Sequence, residues 1–140
     1  MQTILVVDDD AAIRRLISST LKEAGFAVLD TGRAEQALSL ILGRRAGIDL
    51  AVIDMAMPGM SGLDLAAEME REHRDIKILF VSGYGNSIAM ECIARQSPEH
   101  VLLKPFSPAA LAGRVVRLLG KPVSSSAVTQ SPVTGISEAS

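Results

Sequence analysis

Four short apolar runs in this sequence are each followed at once by a side chain able to do chemistry. Asp8-Asp9 follows Ile4-Leu5-Val6-Val7, and Asp54 follows Leu50-Ala51-Val52-Ile53. Ser82 follows Ile78-Leu79-Phe80-Val81, and Lys104 follows Val101-Leu102-Leu103. Three carboxylates, a hydroxyl and an ammonium brought together make a set suited to phosphoryl transfer. Crowded carboxylates raise at least one pKa unless a cation offsets them. Oxygen ligands with no His or Cys beside them suit a hard ion, Mg²⁺ (or Mn²⁺). Such an ion keeps open positions and polarises a phosphoryl oxygen. One carboxylate can then act as nucleophile and form an aspartyl phosphate. Lys104 and the metal would neutralise the transferred oxygens while Ser82 donates a hydrogen bond.

Taken singly, each residue has a plainer reading. A lone Asp after a strand is usually a helix N-cap or a turn residue, and Asp10 reads that way. Ser82 before Gly83 is by default a loop residue, and a single Lys is by default solvated. Asp30 also follows an apolar run, Phe26 to Leu29, but that strand is expected on the outside of the sheet, so Asp30 is left out of the set.

The set converges only if the runs are parallel strands of one sheet. They are mostly unbroken rather than alternating, as strands are when helices cover both faces. Segments of helical period separate them. Ile13, Leu16, Ile17, Leu21 and Ala24 share one face of a predicted helix that Gly25 ends. Ala34, Ala37, Leu38 and Ile41 predict a second helix with Gly43 beyond it; Leu65, Ala66 and Met69 predict a third. Ala89, Cys92 and Ile93 predict a fourth. The fifth opens with Ser107 as N-cap and Pro108 at the first helical position, then carries Leu111, Val115, Leu118 and Leu119. Five βα units give an open α/β sheet, and ligands of such sheets bind at the carboxyl ends of the strands.

Composition agrees with a single domain of ordinary globular balance, 48% hydrophobic and 21% charged in 140 residues. A formal net charge of −2 argues against a nucleic-acid surface. No secretory signal and no long uncharged apolar stretch is visible, so a cytoplasmic chain off the membrane is expected. Cys92 stands alone and reads as helix packing. After Gly120 the segment 121–140 holds six serines, two prolines and no aromatic residue, which predicts a disordered tail or linker behind a domain of residues 1–120.

The pieces Leu5-Val6-Val7-Asp8-Asp9-Asp10, Asp54-Met55-Ala56-Met57-Pro58-Gly59-Met60-Ser61-Gly62, Val81-Ser82-Gly83 and Lys104-Pro105-Phe106 together resemble the receiver domains of two-component response regulators. The resemblance covers roughly residues 3 to 119. It implies a flavodoxin-like, doubly wound sheet of five parallel strands in the order 2-1-3-4-5. It implies that Asp54 is the phospho-acceptor, that Asp9 and Asp54 bind the metal directly, that Asp8 does so largely through water, and that the Ala56 carbonyl is a backbone ligand. Ser82 is similar to the family's switch hydroxyl and Lys104 to its ion-pair partner. The Lys104-Pro105 bond is similar to one that is cis in the family. The implied donor is a phosphohistidine of a sensor histidine kinase or a phosphotransfer domain, and the implied output is a downstream protein. The fourth helix, fifth strand and fifth helix form the implied output face, through which a weak dimer is also expected. The chain would thus be a regulatory domain that assists its own phosphorylation and dephosphorylation, not an enzyme with turnover on a small substrate.

Some positions depart from the family pattern. Val101 stands where an aromatic switch residue is common, and His100 beside it is expected to point to the other face. Ala56 and Tyr84 occupy positions that resemble those tuning hydrolysis of the acyl phosphate; neither readily orients a water, so slow hydrolysis is expected. Met55, Met57 and Met60 are expected to pack locally, and Arg14-Arg15 to form a solvated face that could also help dock a partner. The start at Met1 directly on the first strand reads as a stand-alone receiver, although the Ser-Gly-Tyr and Lys-Pro-Phe-Ser-Pro contexts are similar to receivers joined to hybrid kinases.

Three rival readings fit the sequence less well. A metal-dependent phosphohydrolase wants a second Asp two residues after the nucleophile, where Ala56 stands. A dinucleotide-binding domain wants glycines in the first βα turn, where Asp8-Asp9-Asp10-Ala11 would repel a pyrophosphate. A receiver-like module that is never phosphorylated would not need all five key side chains.

Overall fold

The structure, a computed structural model, describes residues 2–44, 47–72, 75–83 and 98–120. The predicted fourth helix with Cys92, Tyr84 and the segment 121–140 lie outside the described residues. The chain alternates β1 (Thr3–Val7), α1 (Ala11–Glu23), β2 (Ala27–Thr31), α2 (Ala34–Arg44), β3 (Leu50–Asp54), α3 (Gly62–Glu72) and β4 (Lys77–Gly83). A short 3₁₀ turn (Pro98–His100) leads into β5 (Val101–Lys104) and the last described helix, α4 (Pro108–Leu119), which is the fifth predicted from sequence. The five strands are all parallel, in the expected order β2-β1-β3-β4-β5.

The unbroken apolar runs divide by residue parity. Leu5, Val7, Ala51, Ile53 and Phe80 face α2 and α3, where Ala37, Ile41, Leu65 and Met69 meet them. Ile4, Val6, Val52, Leu79 and Val81 face α1 and α4, against Ile17, Leu21, Leu111 and Val115. Each strand thus feeds two cores, which is why alternation is absent from the sequence.

Helix ends follow local chemistry. The Asp10 side chain caps α1 by accepting from the Ala12 and Ile13 amides, and Gly25 beyond its end takes φ 102°, a conformation that favours glycine. Ser107 Oγ accepts from Ala110 N at 3.0 Å and Pro108 opens α4, as predicted. Two expectations fail. Gly43 lies inside α2 rather than beyond it, because one glycine in an exposed turn costs only about 1 kcal/mol and does not end a helix. Leu16, assigned to the buried face of α1, is 41% exposed. The second strand also runs two residues past its apolar run, because Val6 and Val7 of β1 pair with Asp30 and Thr31. No helix among the described residues is long and apolar enough to cross a membrane.

Candidate functional site

Strand register decides which strand-end groups meet. Val7 pairs with Ile53, so Asp8 and Asp54 reach the sheet edge at the same level. Asp54 pairs with Val81, putting Ser82 one step further along, and Gly83 pairs with Lys104. One carboxylate oxygen from each of Asp8, Asp9 and Asp54 lies within 4.8 Å of the others. Lys104 Nζ sits 3.5 Å from Asp8 Oδ2 and 3.8 Å from Asp54 Oδ2. The structure therefore brings four of the predicted side chains into one crevice.

Their surroundings differ. Asp9 is exposed, whereas Asp8 and Asp54 are buried. Asp8 Oδ1 accepts from Asp10 N at 2.9 Å, while its Oδ2 is buried with no hydrogen-bond partner. Asp54 Oδ1 accepts from Ala56 N at 3.2 Å. Burial is the largest influence on Asp54 and raises its pKa from 3.8 to about 6; Asp8 and Asp9 push the same way, while the Ala56 amide and Lys104 oppose them. Ser82 is buried at the end of β4, and its Oγ also lacks a hydrogen-bond partner. A buried carboxylate oxygen met only by the Lys104 ammonium at 3.5 Å and a buried hydroxyl with no hydrogen-bond partner are costly. A hard cation held by the three carboxylates, with an anionic group beside Ser82 and Lys104, would supply what both lack.

The loop after β3 is shaped by two glycines. Gly59 takes φ 76°, and a Cβ on Gly62 would run into the Asp54 carbonyl oxygen and Met55 Cα. Gly62 thus lets α3 begin directly behind Asp54. Met55 and Met57 are buried in the core between sheet and α3, with Met60 packed at its margin, as expected for local packing. Ala56 is exposed at the crevice. The Lys104-Pro105 peptide is cis. Val101 is buried, and His100 beside it directs Nδ1 to the Ile78 carbonyl at 2.8 Å.

Arg14 is not the solvated residue expected. Its Nη1 donates to the Asp8 carbonyl at 2.7 Å and its Nε lies 3.6 Å from Asp30 Oδ1. Arg15 next to it is exposed, as expected. Asp30, set aside as an outer-strand residue, is thus tied to the acidic loop, and its Oδ2 also accepts from Ser18 Oγ at 3.3 Å. No sequence signal separates Arg14 from Arg15 without knowing which strand lies beside β1.

The family model described as response regulator receiver domain matches residues 4–116. Among curated proteins, the phosphate regulon transcriptional regulatory protein PhoB of Pseudomonas aeruginosa is 33% identical over 120 residues, which are 84% of this chain and 52% of that protein. The sensor kinase CckA of Brucella abortus is 33% identical over 119 residues, 85% of this chain and 13% of that protein. The chain thus spans about half the length of the first and a small part of the second. Among solved structures, the receiver domain of NtrX from Brucella abortus is 32% identical with a TM-score of 0.73, covering 83% of this chain and 97% of that one. A receiver domain protein from Clostridium thermocellum has the same fold, with a TM-score of 0.76 over 85% of this chain and 94% of that one.

Proposed function

The chain belongs to the response regulator receiver domain family, and on that footing we propose that Asp54 is its phospho-acceptor, served by Asp8, Asp9 and Lys104. The observation that carries this reading is the convergence of three carboxylates within 4.8 Å with the Lys104 ammonium 3.8 Å from Asp54. Asp8, Asp9, Asp54 and the Ala56 carbonyl would hold Mg²⁺ or Mn²⁺, which supplies charge neutralisation for the transferred phosphoryl oxygens.

The donor is a phosphohistidine on a sensor histidine kinase or a phosphotransfer domain. The Ala56 amide fixes the rotation of the Asp54 carboxylate by holding Oδ1. An Asp54 oxygen attacks phosphorus, the P–N bond breaks, and the imidazole leaves with the bonding pair. With a pKa of about 6, Asp54 is largely ionised at neutral pH and therefore nucleophilic. Lys104, already shared between Asp8 and Asp54, stabilises the incoming negative charge. The phosphoryl group gives the unpartnered Ser82 hydroxyl an acceptor, and that new bond biases the carboxyl end of β4 toward a second state.

With Val101 in place of an aromatic residue, the signal passes through Ser82 and its loop to a downstream protein, and residues 121–140 serve as tail or linker. Ala56 lacks a group to orient water, which favours a long-lived acyl phosphate. The test is intact-mass analysis after incubation with a small phosphodonor. One phosphate is expected per chain with Mg²⁺, and none with chelator or in Asp54→Asn; an unchanged adduct in Asp54→Asn would refute the assignment.

A further inference from the structure

Arg14 occupies an awkward place for a cation. It lies in the first turns of α1, where the helix dipole is positive and the capping Asp10 is the acid nearest the helix start. Its side chain is largely buried, with 23% exposed. What holds it there is a bridge between β2 and the turn that carries the acids. Nη1 donates to the Asp8 carbonyl at 2.7 Å and Nε faces Asp30 at 3.6 Å. Ser18 fixes Asp30 from the next turn of α1. Gly32 keeps the space open, since a Cβ there would stand 2.7 Å from Arg14 Nη1.

Further hydrogen bonds tie down the turn so held. Asp8 N donates to the Thr31 carbonyl at 3.2 Å, Asp10 N to Asp8 Oδ1 at 2.9 Å, and Arg14 N to the Asp10 carbonyl at 2.9 Å. Arg14 takes the Asp8 carbonyl. With Oδ1 engaged by Asp10 and the carbonyl engaged by Arg14, the direction of Asp8 Oδ2 into the crevice is fixed. The planar guanidinium can serve a carbonyl and a carboxylate at once, which a lysine ammonium on a flexible stem does poorly.

We propose that Arg14 is a positioning residue for the divalent-cation site, clamping the Asp8-Asp9 turn to Asp30 so that the acidic oxygens stand ready for the ion. This rests on reading the carboxylate cluster as a cation site. A positive charge near three carboxylates lowers their affinity for a cation, so removing it should tighten binding if charge alone matters. Loss of a positioning contact behind metal ligands instead weakens binding, commonly by about tenfold or more.

The experiment uses the full chain and two variants, Arg14→Gln and Gly32→Ala. The second leaves every charge in place and displaces the guanidinium by crowding alone. Mg²⁺ affinity is measured by calorimetric titration, and amide exchange is followed at Asp10, Ala12 and Ile13. Both variants are expected to bind Mg²⁺ about tenfold more weakly and to exchange those amides faster, at temperatures where the fold is intact. Tighter or unchanged Mg²⁺ binding in Arg14→Gln, or wild-type affinity in Gly32→Ala, overturns the proposal. A wild-type chain that binds no Mg²⁺ removes the cation site itself; unchanged amide protection in both variants would separately overturn the clamp.

Discussion

Asp54→Asn should make the metal-free protein more stable at neutral pH, even though it alters a buried residue at the centre of the site. Burial and the neighbouring Asp8 and Asp9 raise the Asp54 pKa from 3.8 to about 6, so the folded state holds a proton more tightly than the unfolded chain does. The sign follows from linkage. Between about pH 4 and 6 the native state binds more protons than the unfolded state, so stability falls as pH rises through that window and levels off above it. The full loss is about 3 kcal/mol. Asparagine is neutral at every pH and keeps an oxygen for the Ala56 amide, which now donates to Asp54 Oδ1 at 3.2 Å. The substitution should therefore recover about 1–3 kcal/mol at pH 7.5 and much less at pH 4.5. Urea denaturation of both proteins in chelator at the two pH values measures this. A variant less stable than wild type at pH 7.5, or an equal gap at both pH values, would show that Asp54 is not the strained carboxylate of the cluster. Added Mg²⁺ should close the gap by stabilising wild type alone.

Magnesium at ten times its dissociation constant should raise wild-type stability by about 1.4 kcal/mol, and Asp9→Asn should lose most of that gain; a thermal melt series with and without Mg²⁺ decides it. Gly62→Ala should cost about 1–3 kcal/mol, because its Cβ meets the Asp54 carbonyl and Met55 Cα rather than yielding side chains; a change under half a kilocalorie in urea unfolding would contradict the close approach. Leu79→Ala, fully buried between β4 and the α1–α4 layer, should cost about 2–5 kcal/mol by the same measurement. Ala56→Glu, placing a carboxylate able to orient water at the crevice, should shorten the lifetime of the phosphorylated form by roughly tenfold or more; an unaltered lifetime in a dephosphorylation time course would dismiss the role given to Ala56.

The sequence was most readable where one residue type could do only one thing. Unbroken apolar runs with an acid, hydroxyl or amine directly after them located the strand tips, and parallel pairing did the rest: Val7 opposite Ile53 levels Asp8 with Asp54. Capping was equally plain, since Asp10 and Ser107 bond to amides within three residues of themselves. What stayed hidden depends on neighbours distant in sequence. The edge strand β2 runs through Asp30 and Thr31 because β1 pairs with them, not because they look like strand. Arg14 and Arg15 are alike until β2 is in place, when one finds the Asp8 carbonyl and Asp30 and the other stays exposed. Gly43 and Gly62 are the same residue with opposite meanings: a Cβ at the first meets nothing within 4 Å, and at the second it meets backbone. Leu16 fits the apolar stripe of α1 by period, yet its position at the edge of that stripe leaves it 41% exposed.

The central claim, that Asp54 itself takes the phosphoryl group, is tested most directly by locating the modification. Borohydride reduction converts an aspartyl phosphate to homoserine, and digestion followed by peptide sequencing of the phosphorylated, Mg²⁺-loaded protein then reads the position. Homoserine at position 54 and nowhere else is the expected result. Homoserine at position 8 or 9, or a phosphate on Ser82 that survives reduction, would contradict it.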